Sequence, residues 1–134
     1  MKLAGKTAFV ASGATKAAVA TVLRRAGARV ETEGSLAAAA EKFGGIDIVF
    51  AEADMVHDAL PHLRDNGTVI VNGRAVAHPP TQLLEPRRLR VNYVVADAMT
   101  PPYEIADAVL HLASDDAFTT QGEEVVLATL ALAS

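Results

Sequence analysis

Six short apolar runs recur along this chain, each separated from the next by a stretch with helical or turn character, and that alternation restricts the fold more than any other feature. The runs are Thr7–Ala11, Ala28–Glu31, Ile46–Ala51, Thr68–Asn72, Leu89–Ala96 and Glu123–Ala131. Between the first two, Ala17–Ala26 reads as a helix with Ala, Val and Leu on its buried side and Arg24 and Arg25 exposed, and Gly27 is suited to the left-handed residue that ends it. Ser35 is an N-cap for a helix over Leu36–Lys42, stopped by Gly44-Gly45. A helix is expected over Met55–Arg64, with Pro61 disturbing its last turns, and another from Pro102 to about Leu112. Asp65-Asn66-Gly67 signals a turn, Asp115-Asp116 a loop, and Gly73–Arg88, rich in proline, is the least regular part, with Leu83-Leu84 in one or two helical turns. Nearly continuous apolar strands linked by helices bury both faces of their sheet, which is the habit of parallel sheets. The expectation is one α/β domain over residues 1–134.

The bulk numbers agree with one domain: 134 residues with 51% hydrophobic content suffice for one core. A net charge of −4 weighs against nucleic acid as a partner, and Arg87, Arg88 and Arg90 read as a solvated surface ahead of a strand. No apolar run has the length of a membrane span, and no leader pattern precedes the first strand, so neither a membrane partner nor export is expected and the cytoplasm is the default location. The absence of cysteine excludes disulfides, thiolate metal sites and cysteine nucleophiles.

Candidate functional residues fall where strands give way to helices. Ser12, Gly13, Thr15 and Lys16 occupy the first strand–helix turn, where a dinucleotide-binding protein carries glycines so that backbone can approach a pyrophosphate. Here the turn is nearly glycine-free. It reads either as a repurposed anion site or as a plain helix start with a solvated lysine. Glu31, at a strand end, fits a ribose contact or a solvated carboxylate. Asp54, His57, Asp58 and His62 lie at helical spacing, so His57 and Asp58 are candidates for acid/base work, against the plainer reading of a polar surface helix. Asn72, Arg74, His78 and Asp97 are expected near one sheet edge, with Arg74 suited to a carboxylate and Asp97 to a base. Tyr93 is a further candidate, though its strand position suits a core aromatic. Ser12 lacks the glycine pattern of a nucleophile elbow.

Several segments, in order, resemble the short-chain dehydrogenase/reductase family: Leu3–Val10, Gly27–Val30, Phe43–Val49, Gly67–Asn72, Arg90-Val91-Asn92 with Thr100-Pro101, and Ala106–Asp116 followed by Thr120-Gln121-Gly122-Glu123. The resemblance covers most of the chain and implies a Rossmann-like three-layer sandwich. Family members are usually much longer, and in that frame a strand and helix are missing after the second strand. The helix that carries the family's catalytic Tyr and Lys is replaced by the proline-rich stretch. The implied sheet has six mostly parallel strands in the order 2-1-3-4-5-6.

The resemblance also implies losses. The three motif glycines fall near Ser12, Lys16 and Ala18, an Asn-Asn-Ala-Gly segment appears as Phe50-Ala51-Glu52-Ala53, and Pro-Gly appears as Ala96-Asp97. Arg74 stands near the family's catalytic Ser. Neither tyrosine has a lysine four residues on: Tyr93 is followed by Asp97 and Tyr103 by Asp107. No cofactor is therefore expected. The leading expectation is a non-catalytic scaffold or partner subunit, homo-oligomeric through Ile105–Leu112 and Val125–Ala131, where the family commonly makes subunit contacts. Two alternatives stay open. One is a cofactor-independent lyase, isomerase or cyclase using His57, Asp58, Arg74, Tyr93 and Asp97 on a small molecule. The other is a residual NAD(P)-binding oxidoreductase.

Overall fold

The apolar runs pair side by side into one six-stranded sheet, every neighbouring pair parallel, in the order β2-β1-β3-β4-β5-β6. The computed structural model describes residues 2–11, 13–75, 78–114 and 120–127. Within them run β1 (Thr7–Val10), α1 (Lys16–Arg25), β2 (Arg29–Glu31), α2 (Leu36–Phe43), β3 (Ile46–Ala51), α3 (Val56–Ala59), β4 (Leu63–Asn72), α4 (Thr81–Leu84), β5 (Arg90–Val95), α5 (Pro102–Ala113) and β6 (Glu124–Val126). The expected three-layer sandwich and strand order are both present. Ala128–Ala131 of the expected last strand and the Asp115-Asp116 loop lie outside the described residues.

Alternation along each strand divides the core in two. Phe9, Val49, Val69, Val71, Val91 and Tyr93 face one side, where α2, α3 and α4 contribute Leu36, Ala39, Val56 and Leu84. Ala8, Val10, Ile48, Phe50, Ile70 and Val94 face the other, against α1 and α5 through Val19, Leu23, Ile105, Val109 and Leu112. Ser35 caps α2 as expected, its Oγ accepting from the Ala38 amide at 3.0 Å, and Gly44 ends the helix at φ 72°.

The region after β3 departs from expectation. Met55–Arg64 is not one helix: α3 is a single turn flanked by 3-10 turns at Ala53–Met55 and Leu60–His62. Pro61 has no N–H to continue the α-helical ladder, and the chain is already extended at Leu63. β4 also begins earlier than Thr68. Its register against β3 jumps from Ile46↔Leu63 to Ile48↔Thr68, so the Asp65-Asn66-Gly67 turn loops out as a bulge inside the strand. Asn66 adopts φ 67°. Gly67 is required there, since a Cβ would lie 2.8 Å from the Arg64 carbonyl oxygen.

Polar anchors fix both ends of the sheet. At the N-terminal end, Asp47 Oδ2 accepts from the Thr7 amide at 2.9 Å and from Arg64 at 3.1 Å, while Arg64 also donates to the Phe43 carbonyl at 2.7 Å. On the β6 side, fully buried Asn92 donates to the Thr120 carbonyl at 3.0 Å and accepts from the Glu123 amide at 2.9 Å. Gln121 accepts from the Val91 amide at 2.8 Å and donates to the Leu89 carbonyl at 2.9 Å. Gln121 thus gives the start of β5 a partner ahead of β6, and Asn92 ties β5 to the backbone that leads into β6.

Candidate functional site

In a parallel sheet the carboxyl ends of the strands open onto the loops that carry chemistry. Here that edge gathers Gly13, Thr15 and Lys16 after β1, Glu31 at the end of β2, Glu52 after β3, Asn72 and Arg74 at the end of β4, and Asp97 after β5. Ser12 lies outside the described residues. Lys16, the first residue of α1, turns sideways and donates to the Thr32 carbonyl at 3.1 Å. Gly13 is exposed, with open space where a Cβ would stand. Thr15 precedes α1 without capping it by side chain, and its buried Oγ1 has no hydrogen-bond partner among the described residues. Glu31 is bound to Lys42 at 2.9 Å, and that hydrogen bond, with the Glu33 amide and the Lys42 charge, holds its carboxyl below the usual carboxylate range.

Farther along the edge, Asn72 donates to Glu52 at 3.4 Å. Asp97 closes a local turn, its Oδ1 accepting from the Met99 amide at 2.9 Å and from the Thr100 hydroxyl at 3.0 Å. Arg74 is exposed two residues past β4. The strands carrying Arg74 and Asp97 are neighbours, so these two share the edge.

His57 and Asp58 are elsewhere. Both are exposed on α3, and His57 lines a shallow groove of about 200 Å³ with Leu60, Pro61, Leu83, Arg87 and Leu89. Leu89 precedes β5 and Asp97 follows it, so the groove and Asp97 are separated by the length of a strand, roughly 20 Å. Among the described residues, no hydrogen bond or ion pair joins Asp54, His57, Asp58 and His62 to one another. Among the described residues no cluster of three or more His, Asp or Glu could hold a metal. The groove's other polar residue, Arg87, is engaged with the Leu60 and Leu63 carbonyls and with Asp65.

Tyr93 lies in the core, 1% exposed, and its hydroxyl meets His78 Nδ1 at 2.8 Å. Burial, and then the charge of Glu124 opposite it in β6, push its phenol above the ordinary value of 10.0. Glu124 in turn accepts from the Ala75 amide at 2.8 Å. The segment after β4 is thus pinned to the sheet through Glu124 and Tyr93. The sequence placed His78 near this edge but carried no sign of its contact with Tyr93, which depends on the path of the proline-rich stretch.

The arrangement matches known structures. A short-chain dehydrogenase/reductase of the glucose/ribitol dehydrogenase type from Brucella melitensis superimposes with a TM-score of 0.76 at 18% identity, over 96% of this chain and 97% of that one. A short-chain dehydrogenase/reductase from Serratia marcescens gives 0.74 at 18% identity, over 96% and 98%. A short-chain dehydrogenase from Burkholderia cenocepacia, solved in complex with NADP, gives 0.73 at 17% identity, also over 96% and 98%. The fold is that of the short-chain dehydrogenases/reductases. No family model matches the sequence, and no curated protein does.

Proposed function

We propose that this chain is a non-catalytic scaffold or partner subunit built on a shortened short-chain dehydrogenase fold, self-associating at the α5–β6 end of the sheet. One observation carries the reading. Of the four large hydrophobic side chains exposed among the described residues, three belong to the elements at that end: Met99 at 70%, Tyr103 at 62% and, on the face of β6 turned away from α5, Val126 at 57%. They stand on the loop before α5, on its first turn and on β6, which are tied together where Thr100 Oγ1 approaches the Leu127 carbonyl at 3.5 Å. Apolar side chains exposed beside a strand that is outermost among the described residues are costly to leave in water. The face of α5 carrying Ile105, Ala106, Val109 and Leu112 is buried in the chain's own core. The contact surface is therefore placed off the buried face of Ile105–Leu112, on Tyr103 ahead of that span and on Val126 of β6. The engagement of Lys16 by Thr32 and of Glu31 by Lys42 supports a role without cofactor.

Sedimentation velocity tests this. The parent is expected to run as a dimer or larger at tens of micromolar, and Tyr103→Glu/Val126→Glu as a monomer with an unchanged circular dichroism spectrum. A monomeric parent overturns the reading.

A second reading, cofactor-independent proton transfer on a small molecule, is favoured by the Tyr93–His78 hydrogen bond beside an edge that carries Arg74 and Asp97. A phenol held protonated suits a general acid rather than a base. The distance from His57 and Asp58 to Asp97 leaves Arg74, Tyr93 and Asp97 as the group to test, by turnover of Tyr93→Phe and Asp97→Asn variants on any substrate found.

A further inference from the structure

Among the described residues β2 is an outer strand with one neighbour, β1. The Arg29 amide donates to the Lys6 carbonyl at 2.9 Å, so the main-chain groups of Arg29 and Glu31 point towards β1. By the alternation of a parallel ladder, those of Val30 and Thr32 point away from it, along the open edge. Both outward carbonyls are covered, and each by a cation of α1. Arg24 donates to the Val30 oxygen at 3.2 Å and Lys16 to the Thr32 oxygen at 3.1 Å. Two side chains from opposite ends of one helix, two turns apart, reach the two acceptors that an incoming strand would use.

The geometry points to β2 as a latent strand-pairing edge for a second copy of this chain, held closed by Lys16 and Arg24. The occupant follows from charge. Antiparallel pairing of β2 with itself about Val30 sets Arg29 of one copy opposite Glu31 of the other, twice across the two-fold axis. Both side chains already lie on the α2 face, Arg29 over the Phe43 ring at 4.9 Å and Glu31 against Lys42 at 2.9 Å, so the new pairs would form on that face. Open edges invite such pairing, and charged side chains are a common way to blunt them. Lys16 thereby acquires a role at a strand edge, distinct from the anion contact its position at the start of α1 suggests.

The chain's lack of cysteine allows a direct test. In the pairing described, Val30 meets Val30 of the other copy as a hydrogen-bonded pair, with Cα atoms about 5.5 Å apart, within disulfide range. Val30→Cys is made in the Tyr103→Glu/Val126→Glu background, so that association at α5–β6 does not contribute. Adding Lys16→Ala/Arg24→Ala is expected to raise the rate of disulfide-linked dimer formation under mild oxidant several-fold. Lys16→Arg/Arg24→Lys should keep it slow. Equal slow rates with and without the two cations, in protein whose circular dichroism is that of the parent, would falsify the proposal. If the alanine pair does not fold, Lys16→Met/Arg24→Met, which keeps the side-chain length without a donor, carries the same two outcomes. The residue-30 crosslink reports on β2 alone, so the result stands apart from that of the α5–β6 interface.

Discussion

Tyr93 combines a ring packed among Val71, Leu84 and Val91 with a hydroxyl that reaches His78 at the surface of the proline-rich stretch. Removing only the hydroxyl separates these parts. Tyr93→Phe keeps the ring and loses one partly buried hydrogen bond, which should lower stability at neutral pH by about 0.5–1.5 kcal/mol, read by urea denaturation. The pH dependence has a definite sign. Because the folded state holds the phenol above its ordinary value, folding favours the protonated form. That contribution is complete below pH 10.0 and is lost as pH rises through the raised folded value. Stability of the parent should therefore fall more steeply above pH 10.0 than that of Tyr93→Phe. Parallel curves would remove the burial argument. A Tyr103→Phe background leaves Tyr93 the single phenol and lets its absorbance be titrated directly.

At the scale of elements, β6 is short and depends on side chains of its neighbour. Asn92 binds both the Thr120 carbonyl and the Glu123 amide, and it is fully buried. Asn92→Ala leaves both backbone groups without that partner, and a loss of about 1–3 kcal/mol is expected. Faster amide exchange at Glu123 and Tyr93 should localise the loss, because the Tyr93 amide donates to the Glu123 carbonyl at 2.8 Å. Unchanged exchange would mean that β6 docks without Asn92. Elements whose signals are local were legible in the sequence. β3 begins and ends where its apolar run does, and α2 has the Ser35 cap and the Gly44 stop that its residues announce. The β4 bulge was not legible, because Leu63 is extended only through its partner Ile46, a contact set by the sheet rather than by the residues around it. For the same reason Asp54, His57, Asp58 and His62 share a helical spacing in sequence but not one helix in space. The edge positions of Arg74 and Asp97 could be read from strand order. The partners of Lys16 and Tyr93 could not, since each lies across a turn whose path no local pattern fixes.

For the molecule as a whole, the decisive comparison is between its fold and the state of its carboxyl edge. The fold is that of solved short-chain dehydrogenases, with six parallel strands in the order β2-β1-β3-β4-β5-β6. At that edge, four polar side chains are bound to the chain itself: Lys16 to Thr32, Glu31 to Lys42, Asn72 to Glu52 and Asp97 to Thr100. A cofactor would have to displace several of these contacts, Lys16 at the start of α1 among them. Binding of NAD or NADP should consequently be too weak to register at millimolar concentration. A ligand at a hundred times its Kd adds about 2.7 kcal/mol to the folded state, which for a domain of this size raises the melting temperature by several degrees. No such rise is expected with either cofactor, and the amide resonances of Gly13–Ala18 should stay in place during titration. A saturable shift confined to those amides would mean that Lys16 leaves Thr32 for a phosphate and that the unpartnered Thr15 hydroxyl has found its acceptor. The scaffold reading would then give way to a nucleotide-binding one, with the same fold and a different occupant of its first turn.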